Sequence, residues 1–482
     1  MPQDSRAELF VISDLHIGGK HSGRPGDRGF RINTHVDALV RFIDEIGARA
    51  RVTGSRTELV INGDFIDFLA EEVPTDGRRR SFIENEDEAV ATFEAITVRE
   101  RPFFDALRAL LTSGIALTVV LGNHDIELSL PAVRARLAAH LGVGSESSYR
   151  FVYDGEAYTI GDVLIEHGNR YDKWNVVDFD RLRRFRSLCS RRLDITPEAR
   201  FFPPAGSELV EQVMNPIKQD YPFIDLLKPE TDAAIPLLLA LEPSLANVIN
   251  GIEAFRLAWT ASGHGLAAPA QPAQPGDIAG LASAEDQLDP LRAVLTSRLG
   301  GDYRGELLKL IEEAQQQDRA SLGNIAGGAV SRTLSLIQLK VSASWDARLR
   351  ILLGILRALQ DDKSFNRSVE AEKDFREAAE ELARKGFATI IFGHTHLAKD
   401  AKACDARYIN TGTWADLIRV PPEVINGASE TALDKFARAI RDKRFDEYIL
   451  FQPTFAHICL DSGSRTVAAG LHDYEPGVVQ RL

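Results

Sequence analysis

Cysteine is nearly absent from this chain of 482 residues: Cys189, Cys404 and Cys459 are the whole supply. Three scattered thiols make neither a disulfide framework nor a thiolate zinc site, and they fit a reducing compartment. Long apolar runs are missing as well. The stretch Ile235–Leu241 is among the longest, and Pro236 interrupts it. It falls far short of the roughly 20 residues that a membrane-spanning helix needs. Positive charge is also scarce, with 57 Lys and Arg against 70 Asp and Glu, a net −13. That balance argues against a broad basic surface for nucleic acid or anionic membrane. The start, MPQDSRAELFVISDLH, passes from polar residues straight into an apolar run without a signal-peptide pattern. The expected address is therefore the cytoplasm, with no transmembrane segment.

What is present is ordinary for a globular protein: 44% hydrophobic and 26% charged residues. The length is too great for one small core and calls for a large domain with an insertion, or two domains. Apolar runs at Leu9–Ile12, Glu58–Asn62, Ile115–Leu121, Tyr158–Glu166 and Ala388–Phe392 read as strands. Each stops where residues able to ligate a metal begin: Asp14 and His16, Gly63-Asp64, Gly122-Asn123-His124-Asp125, His167-Gly168, and Gly393-His394-Thr395-His396. In an α/β architecture strand ends converge on one sheet edge, where ligands bind. Helical spacing marks His35–Ala48 and Pro102–Ser113, and a largely helical segment runs over residues 175–385. Within that segment Asp180–Leu193, Ser207–Val213, Ala234–Leu241, Glu285–Leu299, Tyr303–Asp318, Trp345–Leu359 and Ser368–Arg384 read as helices. The Ala-, Pro-, Gly- and Gln-rich stretch Ser262–Asp289 reads as a flexible loop.

Those five motifs, in that order, resemble the calcineurin-like metallophosphoesterase superfamily over residues 7–174 and 386–482. The resemblance implies a four-layer αββα sandwich, with residues 1–174 and 386–482 as its two parts and residues 175–385 as a helical cap. It implies two divalent metal ions, Asp14, His16 and His396 holding one and Asn123, His167 and His394 the other, with Asp64 bridging. His124 would protonate the leaving oxygen or steady the phosphoryl group, and Asp125 would hold its imidazole. Nitrogen and oxygen donors without thiolate suit Mn²⁺, with Fe or Zn²⁺ as further choices. Two such ions can activate a hydroxide for in-line attack on phosphorus.

Glu166-His167-Gly168-Asn169-Arg170-Tyr171-Asp172, followed by helices, is similar to the branch of bacterial UDP-diacylglucosamine hydrolases, which points to a small-molecule or lipid-linked phosphoester or pyrophosphate. A DNA or RNA nuclease and a catalytically silent scaffold are the alternatives. Asp67 is expected to support the site by hydrogen bonding. Arg183, Arg184 and Arg186, opposite Leu182 and Phe185 on one helix, are candidates for binding an anionic substrate. Trp414 is expected to pack rather than stack on substrate.

Overall fold

The computed structural model describes residues 7–20, 29–144, 148–218, 344–357, 364–425 and 429–482, with short stretches at 221, 224–228, 237 and 240–241. The expected helices Glu285–Leu299 and Tyr303–Asp318, the loop Ser262–Asp289 and most of Ala234–Leu241 lie outside the described residues. The fold is mixed α/β.

In chain order the first strands are β1 (Ala7–Ile12), β2 (Arg56–Asn62), β3 (Ala116–Val120), β4 (Tyr149–Val152), β5 (Tyr158–Ile160), β6 (Val163–Ile165) and β7 (Leu227–Lys228). Then come β8 (Thr389–Phe392), β9 (Lys399–Ala403), β10 (Ala406–Asn410), β11 (Leu417–Arg419), β12 (Ile449–Leu450), β13 (Thr454–Leu460) and β14 (Thr466–Asp473). A six-stranded sheet has the order β14-β13-β1-β2-β3-β4, and a five-stranded sheet the order β5-β6-β8-β10-β9. β1 to β4 are parallel neighbours, as are β6, β8 and β10. The strand expected within Tyr158–Glu166 is β6, which pairs antiparallel with β5 across a turn at Gly161.

Alternation along the strands sorts their side chains to two faces. Leu9, Val11 and Val60 share an apolar cluster with Val163, Ile165, Ile391 and Ile409 of the other sheet. The intervening Phe10, Ile12, Leu59 and Ile61 point the opposite way, into a larger cluster. That cluster takes in α1 (Val36–Thr53), α2 (Glu86–Arg99), α3 (Arg101–Thr112), α4 (Pro131–His140) and α5 (Phe179–Cys189). The five-stranded sheet has its own outer cluster, where Phe375, Ala378 and Ala379 of the helix Lys373–Arg384 meet Phe392 and Tyr408. Trp414 is fully buried as expected, donating from Nε1 to Thr454 O at 3.0 Å and lying beside Phe42.

Two compact units result: residues 1–222, 362–417 and 450–482 in one, residues 223–361 and 418–449 in the other. The expected boundaries at 174/175 and 385/386 therefore move. α5 groups with the first unit because Leu182 and Phe185 are buried in its helix-facing core, and Lys373–Arg384 does so through Phe375. In the second unit the helices Trp345–Arg357 and Glu430–Arg441 meet, with Trp345 Nε1 donating to Asp434 Oδ1 at 2.9 Å. No helix among the described residues is long and apolar enough to cross a membrane.

Glu127 is buried in the first unit, where Oε1 accepts the Ile83 N–H at 2.8 Å. Burial pushes its carboxyl from the ordinary 4.5 up to about 8. A carboxyl whose folded pKa is raised contributes most stability at acid pH, and that contribution falls as pH climbs from 4.5 towards 8. Melting curves between pH 5 and pH 8 should show a decline in Tm that is shallower in Glu127→Gln, by about 2 °C at pH 8. Parallel curves for the two proteins would contradict this.

Candidate metal centre

The ligand-type residues sit where parallel strands of both sheets run out. Asp14 (φ 53°), His16 (45°), Asp64 (47°), His394 (70°) and His396 (61°) all adopt the left-handed backbone region. Each such non-glycine residue costs on the order of 1–3 kcal/mol and persists only where its surroundings impose it. Here the surroundings do. Asp14 N–H donates to Gly63 O at 3.1 Å and His16 N–H to Asp64 O at 2.9 Å, so the turns after β1 and β2 stay paired. Asn62 Nδ2 donates to Glu166 O at 2.9 Å and Asn62 O meets His167 Nδ1 at 2.9 Å, tying the ends of β2 and β6 across the two sheets. Thr413 Oγ1 donates to Asp14 O at 2.7 Å, and Ser13 Oγ meets Thr411 Oγ1 at 2.7 Å. The glycines are there for close approach: a Cβ on Gly122 would collide with Asp64 Oδ1, and one on Gly63 with the His167 ring.

Asp64 occupies the middle. Its Oδ1 accepts the backbone N–H groups of Asn123 and His124, each at 2.9 Å. Its Oδ2 faces His167 Nε2 at 3.1 Å and His16 Nε2 at 3.9 Å. On one side Asp14, His16, Asp64 and His396 bring one ligand atom each within 4.8 Å of one another; on the other Asp64, His167 and His394 do the same. His16 Nε2 and His396 Nε2 are only 2.9 Å apart, and His396 Nε2 is 3.4 Å from Asp14 Oδ1. Asn123 Oδ1 and His394 Nδ1 are buried without any hydrogen-bond partner. Leaving a buried polar atom unpaired costs about 1–3 kcal/mol. An electron-pair acceptor at each would remove that cost, so the donor set fits two divalent cations that share Asp64.

Electrostatics agree. Burial disfavours charge on both Asp64 and His167, yet their proximity wins: His167 is pushed up to about 10, and Asp64 is held well below the usual carboxylate range by His167 and His124. Asp14 moves the other way, raised by burial and by the neighbouring Asp64 charge. Burial also opposes charge on His124, but Asp64 and Asp67 outweigh it and lift the imidazole to about 9.

All seven expected residues therefore meet, with Asn123 brought in by the hydrogen bond from its backbone N–H to Asp64 Oδ1. The expected support of His124 by Asp125 is not what the structure has. Asp125 turns both oxygens to backbone, accepting from Gly122 N and Phe65 N at 2.7 Å each. Asp67 takes the role instead: its Oδ1 lies 3.3 Å from His124 Nδ1, and its Oδ2 lies 3.5 Å from His16 Nδ1. The expected arginine face also divides. Arg186 is buried, donating from Nη1 to Tyr153 O at 2.8 Å, because it shares the inward face with Leu182 and Phe185. Arg183 and Arg184 are exposed. No hydrogen bond or ion pair among the described residues joins any of the three to the ligand cluster.

Two residues were missed. Asp172 Oδ2 lies 3.1 Å from His394 Nε2 and accepts Asn175 Nδ2 at 2.8 Å. The amide oxygen of Asn175 in turn accepts from Asn123 Nδ2 at 3.4 Å. One side-chain chain thus grips both Asn123 and His394, leaving Asn123 Oδ1 and His394 Nδ1 without hydrogen bonds. The available signal was position: Asp172 follows His167 across a single turn, Asn169–Tyr171.

No family model matches this chain, and no curated protein compared with it matches either.

Replacing Asp172 by Asn should weaken Mn²⁺ binding at one of two sites by about 10–100-fold, measured by metal titration. Unchanged isotherms would remove Asp172 from the centre. Gly122→Ala should displace Asp64 and cost at least about 2 kcal/mol in denaturant unfolding together with metal binding; a wild-type midpoint would contradict the packing argument.

Proposed function

We propose that the chain is a dinuclear metal-dependent phosphoesterase of the calcineurin-like kind. It hydrolyses a phosphoester or pyrophosphate bond in a small-molecule or lipid-linked substrate. One observation carries the reading: two overlapping donor sets share the carboxylate of Asp64, and Asn123 Oδ1 and His394 Nδ1 beside it are buried without hydrogen-bond partners. The finer fold assignment, a four-layer αββα sandwich, is supported by the shared core of the two sheets and by the helices on their outer faces.

Asp14, His16 and His396 would hold one cation, Asn123, His167 and His394 the other, and Asp64 both. Manganese is the first choice for these nitrogen and oxygen donors, with iron and zinc next. Cations in this nest supply Lewis acidity, which polarises a phosphoryl oxygen and acidifies water. The protein's own contribution is rigidity and proton control. Asp67, held well below the usual carboxylate range by His124 and His16, fixes the His124 ring through Nδ1. His124 Nε2 is then the atom that delivers a proton to the departing oxygen. With a raised pKa the imidazole carries its proton at neutral pH, as a general acid must.

The test is hydrolysis of bis(4-nitrophenyl) phosphate by the Mn²⁺-loaded chain. Activity should vanish with chelator and return with Mn²⁺. Asp64→Asn should reduce it to background, and His124→Ala should lower kcat by about 10²–10⁴. Equal rates in all three proteins would sink the enzymatic reading.

A further inference from the structure

The helical segment from Ala205 to Lys218 contains a π turn at Val210–Met214, flanked by α-helical turns. Such widened turns distort a helix at a cost and are common beside functional sites. The segment is anchored to two loops of the metal centre. Gly206 N–H donates to Trp174 O at 2.8 Å, and Gly206 lies so close to Asn175 Oδ1 that a Cβ would collide with it. Asn175 belongs to the chain that grips Asn123 and His394. Nine residues on, Asn215 Nδ2 donates to Leu69 O at 3.1 Å, in the loop that carries Asp67, the partner of His124. The segment therefore runs from the loop beside one donor set to the loop beside the other.

Along it, two polar atoms are buried without partners. Ser207 is 1% exposed and its Oγ makes no hydrogen bond; Asn215 is 5% exposed and its Oδ1 makes none. On a regular α-helix residues eight apart would diverge by about 80°. A π turn advances fewer degrees per residue than an α turn, so the turn at Val210–Met214 reduces that divergence. Lys218, also buried, holds its ammonium 5.8 Å from the Phe30 ring, and its charge acts against protonation of His124.

We propose that the segment Ala205–Lys218 is the substrate-recognition wall of the metal centre, and that Ser207 and Asn215 hydrogen-bond hydroxyl groups of a sugar- or polyol-type phosphoester. The chemistry follows from the atoms. Ser207 Oγ can donate or accept, Asn215 Oδ1 accepts only, and a vicinal hydroxyl pair supplies a matching acceptor and donors. An aryl or alkyl ester supplies none and leaves both atoms orphaned. This wall rests on the phosphoesterase reading, and the experiment separates the two.

Two phosphonates, which have no ester bond to cleave, serve as probes: 3,4-dihydroxybutylphosphonate and butylphosphonate. Each is titrated calorimetrically into the Mn²⁺-loaded full chain, with metal content measured in parallel. The wild type should bind the dihydroxy compound about tenfold more tightly than its apolar match. Ser207→Ala removes an oxygen that has no hydrogen bond in the fold, and should cut this preference to threefold or less while metal content stays at two. Asn215→Ala should do the same, with thermal melting to account for the lost bond to Leu69. Equal binding of both probes by the wild type, or an undiminished preference in Ser207→Ala, overturns the wall while leaving the metal centre intact. A wild-type chain that takes up no Mn²⁺ overturns the metal centre and the wall together.

Discussion

Asp64 is the constraint around which the first unit is organised. A single buried carboxylate faces His16 and His167 with one oxygen and receives two backbone N–H groups with the other. Four imidazoles and two carboxylates converge there, with Asp14, His16, Asp64 and His167 buried and His394 and His396 partly so. A protein gains nothing for stability by such crowding, since buried charge and unpaired polar atoms are both unfavourable. The arrangement makes physical sense as a nest for cations, whose charge offsets the carboxylates and whose empty orbitals satisfy the orphaned nitrogen and oxygen.

The fold holds this nest by over-determination. Left-handed residues at Asp14, Asp64 and His394 would relax if the turns were free, but cross-sheet bonds from Asn62, Thr413 and Ser13 hold them. The apolar cluster shared by the two sheets fixes the separation of the strand ends, so donors from β1, β2 and β3 meet donors from β6 and β8 at hydrogen-bonding distances. The same turns hold the His124 ring beside Asp67.

Much of this was legible in the sequence, and the division is instructive. Strand endings followed at once by Asp, Asn and His picked out the side chains that the fold brings together, because an apolar run that stops abruptly marks a sheet edge. Local order also located α1 and α3 to within a few residues. What sequence could not supply was direction. Asp125 and Asp67 are both carboxylates near His124, and only the turn after β3 decides that Asp125 points back at Gly122 and Phe65. Arg186 looked exposed by charge, yet its stem packs inward with Phe185. Asp172 and Asn175 fell outside any periodic element, and their value depends on a meeting with His394 and Asn123 that no local pattern encodes. Helices of both units share the same amphipathic signal, and only their burial partners tell them apart.

The central claim is that two cations lie side by side on one shared carboxylate. Electron paramagnetic resonance of the Mn²⁺-loaded chain tests it most directly, because ions about 3.5–4 Å apart couple magnetically. The account predicts an exchange-coupled dinuclear spectrum at two Mn²⁺ per chain that collapses to isolated-ion signals in Asp64→Asn. A spectrum of isolated Mn²⁺ alone in the wild-type chain, at saturating metal, would contradict it.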